Sequence, residues 1–336
     1  MFLDFWKLRE QPFGVTPDPR YLYFSPGHRE ALATLFYGIE TGRGFLSLIA
    51  QPGMGKTTLL FQLLRRWKGY VHSAFLFQTQ CNSRDLIRYL LADLGLNNEG
   101  KDIVRMHSQL NDFLFRETKA GRRVVVFIDE AQNLSDPVLE TVRLLSNFEA
   151  PDRKLLQIIL AGQLEFGQRL SNPGLAQLRQ RIAVRARLDP LSAPEVVRYV
   201  NHRLQVAGHK GPDLFTPGSL ELVADLSGGI PRVINVLCFN ALSFGFAVRC
   251  PRIDSAIIRE AAMESALDDP APITNGQESE KSKQSDPPRL RSPWRSLFSW
   301  IRASAAGQPK ASAPATRPSG VRATTASPKL EGSVQV

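Results

Sequence analysis

The sequence has few cysteines and few histidines. Its three cysteines, Cys81, Cys238 and Cys250, are scattered without C-x-x-C spacing, and its five histidines are equally dispersed. We therefore expect neither a disulfide framework nor a zinc site, and this cysteine usage fits a reducing compartment. The cysteines are interpreted as small buried hydrophobic residues.

Long apolar runs are also lacking. None reaches the length needed to span a bilayer. The first seven residues contain no basic stretch followed by an apolar core, so they do not predict a secretion signal. We expect a cytoplasmic protein.

The charge balance is basic. Among 336 residues, 42 Lys and Arg stand against 32 Asp and Glu, which gives a net charge of +10 and a pI near 9.8. Such an excess permits contact with nucleic acid or anionic lipid but requires neither. The length suffices for a nucleotide-binding core and a smaller domain.

A glycine-rich loop lies between a predicted strand and a predicted helix. The apolar run 45–49 precedes it, and the mostly apolar residues 59–64 follow it. Gly53 and Gly55 permit positive φ, so backbone N–H groups can turn inward toward an anion. An ordinary glycine turn is the alternative, and Ala50 stands where the strict pattern has glycine. The candidate nucleotide-binding residues are Gln51, Pro52, Gly53, Met54, Gly55, Lys56, Thr57 and Thr58.

The two residues after Gly55 have chemistry suited to ATP. Lys56 is predicted to reach the β- and γ-phosphates, and the Thr57 hydroxyl to hold Mg²⁺. The cofactors expected from this loop are therefore ATP and Mg²⁺.

A second apolar run, Val124–Ile128, ends in two carboxylates. Such a β-branched run is typical of a strand buried on both faces, and ligands bind at the carboxyl ends of parallel strands. Asp129 is predicted to bind Mg²⁺, directly or through water, and Glu130 to orient and deprotonate the attacking water. The alternative is two solvated acids at a strand end.

Three further side chains are candidates for the same chemistry. Gln163 follows the predicted strand 155–160 and either touches the γ-phosphate or lytic water, or is a loop amide without a ligand. Either Arg179 or Arg181 would reach the γ-phosphate of a neighbouring subunit, or both are surface charges. We favour Arg181.

The pattern predicts an α/β protein with a parallel sheet flanked by helices, a small all-α lid and a disordered tail. The predicted segments are 1–43 (arm and helix), 44–190 (α/β core), 191–267 (helical lid) and 268–336 (tail). Arg232, near the start of a lid helix, either reaches the phosphates or is a surface charge.

Local signals predict several element boundaries. Ser25 is predicted to be an N-cap followed by proline, Thr216-Pro217 is predicted to open a helix, and Ser192–Glu195 is predicted to form a capping box. Ser83 is predicted to cap a helix, another helix is predicted to run through Phe148, and a short strand is predicted from about Val184 to Leu188. The aromatic and proline-rich stretch 5–24 is read as a rigid arm that borders the adenine or packs into the core.

The tail is rich in Pro, Ser, Ala, Lys and Arg, and such a segment cannot bury enough surface to fold. Residues 291–302 interrupt it with apolar side chains at helical spacing among arginines. They dock on a membrane surface or a partner, or form an incidental cluster. If they dock on a membrane surface, we expect the protein to be peripheral at the inner membrane.

Taken together, these features resemble an AAA+ ATPase with a core and a helical lid. More narrowly, residues 1–267 resemble the general-secretion-pathway A (ExeA-like) ATPases and similar ATPases of exosortase loci. The specific segments are Phe5-Trp6-x-Leu8-x-x-x-Pro12-Phe13, Thr16–Pro19, Asp129–Leu134 and Gly229–Arg232. The resemblance implies an ATP-hydrolysing homo-oligomer that remodels or assembles an unidentified protein partner in secretion or export.

Two other hypotheses remain at this point. The high pI favours a DNA-associated regulator resembling the AAA+ ATPases of transposition, in which binding would fall steeply with salt. A nucleotide-operated switch with slow turnover, in which residues 291–302 are the output, is the third reading.

Overall fold

In a computed structural model of the chain, residues 1–67, 70–77, 80–97, 100 and 102–267 are described. The predicted tail, with its segment 291–302, lies outside the described residues. The strands are β1 (Phe45–Ala50), β2 (Val71–Leu76), β3 (Arg123–Ile128), β4 (Glu149–Ala150), β5 (Arg153–Lys154), β6 (Leu156–Gly162) and β7 (Ile182–Leu188).

Five of these strands form one parallel sheet in the order β2-β3-β6-β1-β7. β3 and β6 are buried along nearly their whole length, as the continuous apolar runs predict. Because only β6 separates β1 from β3, the carboxyl ends of these two strands lie roughly 10 Å apart at one edge of the sheet. That edge carries the glycine loop and the paired carboxylates.

Helices connect and follow the strands. Their bounds are α1 (Phe2–Phe5), α2 (Pro26–Glu40), α3 (Lys56–Arg66), α4 (Ser83–Asp93), α5 (Ile103–Lys119), α6 (Asp136–Leu145), α7 (Leu164–Arg169), α8 (Ala176–Arg181), α9 (Ala193–Val206), α10 (Pro217–Ser227), α11 (Pro231–Ala247) and α12 (Ser255–Leu267). Short 3₁₀ turns cover Pro19–Tyr21, Ala131–Asn133 and Pro173–Leu175.

Helices pack on both faces of the sheet. Side chains of α4 to α8 form one apolar cluster with β2, β3 and β6. On the opposite face, Phe61 of α3 lies against Phe75 of β2 with ring centroids 5.5 Å apart. α2 approaches β1 so closely that a Cβ at Gly38 would lie 2.5 Å from Leu46. The expected parallel sheet flanked by helices is confirmed.

A second apolar cluster joins the N-terminal arm to α9–α12. Trp6, Phe13 and Tyr21 are buried among side chains of these four helices. Core packing, one of the two readings of the arm, is therefore what these aromatics do. The helices lie within the segment predicted as a lid, and its standing as a separate domain stays a prediction.

Several helix starts agree with the capping signals. Ser25 and Thr216 cap α2 and α10 through their side chains, and Ser192 and Glu195 form the predicted capping box of α9. Proline follows each of these N-caps within two positions.

Three predicted boundaries are wrong. Asn82, not Ser83, caps α4, because its side chain accepts the backbone N–H of Asp85. α6 ends at Leu145, so that Phe148 precedes the two-stranded β4–β5 ribbon. β7 begins two residues earlier than Val184, since Ile182 already pairs with Phe45.

Candidate functional site

The glycine loop has the backbone conformation that its sequence predicts. Gly53 and Gly55 have φ of 80° and 86°, and Gly55 stands directly before α3. A residue with a Cβ is strained at such angles. The first turn of α3, with its free N–H groups and positive dipole end, therefore faces the loop. Gln51, Pro52 and Thr58 are partly or fully exposed, and Met54 is buried.

Lys56 brings a buried positive charge to the loop. Its side chain is only 6% exposed, and its Nζ donates to the carbonyls of Ala50 and Gln51 at 3.3 and 3.4 Å. Neutral carbonyls compensate a charge only in part. The ammonium is thus positioned to bind an anion in the loop.

Thr57 and Asp129 meet although 72 positions separate them in the sequence. The Thr57 hydroxyl donates to Asp129 Oδ2 at 2.6 Å, and the Glu130 N–H donates to Asp129 Oδ1 at 2.9 Å. Burial raises the pKa of Asp129, and the two hydrogen bonds oppose that rise. A buried carboxylate beside a hydroxyl is a donor set that suits a hard divalent cation such as Mg²⁺.

Glu130 adopts a left-handed backbone at the end of β3, with φ of 52° and ψ of 41°. This conformation is strained for a residue with a side chain. Its carboxylate Oε2 accepts the side-chain amide of Gln163 at 3.0 Å and that of Gln132. Gln163 is therefore beside the second carboxylate, as its place after β6 allows.

Gln132 is a site residue that sequence reasoning gave no role. It belongs to the Asp129–Leu134 run that carried the family resemblance, but one amide in a short turn has no spacing that distinguishes it. The backbone N–H of Gln163 donates to Gln132 Oε1 at 3.1 Å.

His28 is a second missed residue, from the start of α2. Its ring is 4% exposed, with Nε2 3.2 Å from the carbonyl oxygen of Met54 and Nδ1 2.8 Å from the Ser25 hydroxyl. Because a carbonyl can only accept, Nε2 carries the proton and Nδ1 accepts from Ser25. Burial lowers the pKa of His28, the largest of its influences. The ring thus joins α2 to the glycine loop.

Of the three candidate arginines, Arg232 contacts the glycine loop, and in the part of the chain that the structure describes Arg179 and Arg181 do not. The backbone N–H of Arg232 donates to the Gly53 carbonyl at 3.2 Å, so the start of α11 lies on the glycine loop. Arg179 donates to the Ser171 carbonyl at 3.4 Å, whereas Arg181 is exposed. Within the described residues, neither Arg179 nor Arg181 has a hydrogen bond or ion pair to the loop or the two carboxylates.

Comparison with known proteins gives matches to the sequence and to the fold. Residues 39–170 match the family described as AAA domain. General secretion pathway protein A of Aeromonas hydrophila is 42% identical over 265 residues, which are 79% of this chain and 48% of that protein. The chain thus spans about half the length of this relative.

Solved structures share the fold at low identity. The Aeropyrum pernix ORC2 protein in its ADPNP-ADP complexes has a TM-score of 0.60 and 19% identity, covering 76% of this chain and 71% of its own. Cdc6p from Pyrobaculum aerophilum has a TM-score of 0.60 and 14% identity, covering 75% and 70%. Such identities show a common fold and carry no assignment of residues.

Proposed function

We propose that this chain is an AAA+ P-loop ATPase that binds ATP with Mg²⁺ in the glycine loop and hydrolyses the bond between the β- and γ-phosphates. The match of residues 39–170 to an AAA domain and the resemblance to general secretion pathway protein A support this proposal. The observation that carries the proposal is the 2.6 Å hydrogen bond between Thr57 and Asp129. It joins the end of the phosphate loop to the acids two strands away, so one nucleotide and its metal can contact both.

Each of the chain's own groups has a distinct proposed role. The loop N–H groups and Lys56 bind the phosphates, with Lys56 exchanging its two carbonyl partners for phosphate oxygens. Thr57 and Asp129 would hold Mg²⁺. When bound, the metal neutralises charge on the phosphate oxygens.

Glu130 is the proposed general base. It accepts a proton from water as the water oxygen bonds to the γ-phosphorus and the bond to the β,γ-bridging oxygen breaks, which yields ADP and phosphate. Gln163 orients that water or the γ-phosphate. Its 3.0 Å contact with Glu130 supports a role at this point.

Two arginines are proposed to complete the site. Arg232 acts from within the chain, since its backbone already contacts Gly53. Arg181 acts on the nucleotide of a neighbouring subunit, and its exposure supports this choice over Arg179. A homo-oligomer follows from this role.

The proposed setting is a secretion or export assembly, where ATP turnover remodels or assembles a protein partner. This rests on the named relative, of which the chain covers about half. Within the described residues, no helix has both the length and the apolar character needed to cross a membrane. Residues 291–302 are the proposed docking segment for a partner or the inner-membrane surface.

The direct test is ATP binding and turnover by wild type and the Glu130→Gln variant. The variant keeps the shape of the side chain and removes the base, so ATP should bind with unchanged affinity while turnover falls by about 10²–10⁴-fold. Normal turnover by the variant would refute the base assignment. Absence of turnover in the wild type would refute the activity.

A further inference from the structure

The carboxylate of Glu130 is held asymmetrically. Both amide groups that contact it, from Gln132 and Gln163, donate to the same oxygen, Oε2. No hydrogen bond from the described residues reaches Oε1. If Glu130 deprotonates water, Oε1 is therefore the oxygen open to it, and Oε2 is the oxygen that fixes the carboxylate plane.

Gln132 is itself fixed in one orientation. The N–H of Gln163 can be accepted only by the amide oxygen, and the carboxylate can be met only by the amide NH₂. The two contacts thus assign the two ends of the amide without ambiguity. A rotated amide would put like groups together at both ends.

The turn that carries Gln132 is held from a second direction. Arg169 of α7 donates through Nη1 to the carbonyls of Gln132 and Leu134 at 2.7 and 3.0 Å, and through Nη2 to Asp136 at 2.6 Å. The backbone of Gln132 is therefore anchored to α7, and its side chain links the ends of β3 and β6.

We propose that Gln132 is the positioning residue for the general base. It holds Oε2 of Glu130 whether the Gln163 amide stays on that oxygen or turns toward the γ-phosphate or water, and so keeps Oε1 directed at the nucleophile. This inference rests on the proposed ATPase activity and adds to it a role that the sequence does not indicate.

Two substitutions remove the contact in different ways. Gln132→Met keeps the length of the side chain and removes both hydrogen bonds. Gln132→Glu keeps the acceptor for Gln163 and replaces the donor with a like charge next to Glu130. Asn133→Ala is the matched control, because Asn133 is exposed in the same 3₁₀ turn.

The kinetic expectation is a loss in kcat without a loss in binding. Both Gln132 variants should reduce kcat by about 10- to 100-fold, a part of what a general base contributes, with the Kd for ATP within about twofold of wild type. The Asn133→Ala control should keep wild-type values of both. Wild-type kcat in Gln132→Met would overturn the proposal.

The decisive readout is the double variant with Glu130→Gln, measured by single-turnover hydrolysis. If Gln132 acts through Glu130, the double variant should keep the residual rate of Glu130→Gln alone, because no base remains to be positioned. A further drop equal to that of Gln132→Met alone would show a separate structural effect and overturn the proposal. Normal Glu130→Gln turnover would instead refute the base assignment itself.

Discussion

At the scale of single residues, the site combines two buried groups of opposite charge. Lys56 and Asp129 are 6% and 3% exposed, and each is compensated in part by neutral groups of the loop and of Thr57. Burial raises the pKa of Asp129, so a cation beside it would relieve an existing electrostatic cost. Charge and burial together thus favour the simultaneous binding of phosphate and metal.

The buried ring of His28 should make the free energy of unfolding depend on pH. Burial lowers its pKa below the ordinary value near 6.5, so between the two pKa values the unfolded chain binds more protons than the folded one. Its contribution to the free energy of unfolding is complete above about pH 6.5 and is lost as the pH falls toward the folded pKa. Denaturant unfolding measured from pH 5 to 8 should show that the free energy of unfolding decreases as the pH falls.

The matched variant is His28→Asn, which cannot gain a proton. The difference in unfolding free energy between wild type and variant should shrink as the pH falls, because only the wild type is penalised by acid. His107 and His202 also have pKa values lowered by burial, so the difference curve isolates His28. A difference that stays constant across this range would contradict the buried neutral ring.

At the scale of elements, the glycine loop and α11 are in direct contact. Besides the hydrogen bond from Arg232, a Cβ at Gly53 would lie 2.6 Å from the Arg232 Cβ and 3.3 Å from Ile230. Gly53→Ala should therefore separate α11 from the loop. In hydrogen exchange of the protein without nucleotide, the backbone amides of residues 230 and 232–235 should exchange faster than in wild type.

Gly121→Ala controls for backbone strain. Gly121 has φ of 71°, and no atom of the described residues lies within 4 Å of a Cβ added there. Both variants therefore carry the cost of a left-handed backbone, about 1–2 kcal/mol. Only Gly53→Ala adds the collision with α11. Equal exchange rates at 230 and 232–235 in the two variants would show that the contact between the loop and α11 does not stabilise the start of the helix.

Arg203 of α9 attaches the arm to the helices. It is 8% exposed, donates to the carbonyls of Pro12 and Gly14 at 2.5 and 3.3 Å, and lies 4.7 Å from the ring centre of Tyr21. Arg203→Met leaves both carbonyls unpaired and should lower the unfolding free energy by about 2–4 kcal/mol.

The comparison is Arg198→Met on the same helix, where an exposed guanidinium donates one hydrogen bond to the Tyr23 hydroxyl at 3.1 Å. Its cost should stay below about 1 kcal/mol. Equal losses in thermal or denaturant unfolding for the two variants would contradict an anchoring role of Arg203.

At the scale of the whole molecule, the sequence pattern predicts the strands and the loop well. The run before Gly53 and the run before Asp129 are buried strands, and their order in the sheet brings the predicted site together. The strands and the glycine loop can be predicted because they follow from local signals, namely apolar runs, glycines and capping residues.

Other features could not be read from the pattern. One is the contact between His28 and Met54, and another is the pair of hydrogen bonds that Glu130 accepts from Gln132 and Gln163. Both depend on how elements that are distant in the sequence meet in the fold. The sequence likewise does not indicate that the apolar side chains of the arm pack on α9–α12. Periodicity identifies such faces but does not say which other face covers them.

Action of Arg181 across a subunit boundary is testable by mixing inactive variants. Arg181→Ala retains Glu130, and Glu130→Gln retains Arg181, so a mixed oligomer can contain complete sites while each variant alone is inactive. Turnover should fall by about 10³-fold in Arg181→Ala and recover in part on mixing. No recovery, or the same loss in Arg179→Ala, would contradict the assignment.

Thr57 and Asp129 are proposed to hold one metal ion together with one nucleotide, and every other role in the site depends on this. The most direct measurement is calorimetric titration of wild type and Asp129→Asn with a non-hydrolysable ATP analogue, with Mg²⁺ and with EDTA. Mg²⁺ should tighten binding to wild type by at least about tenfold, and this gain should disappear in Asp129→Asn. An equal gain from Mg²⁺ in both proteins would contradict the shared site.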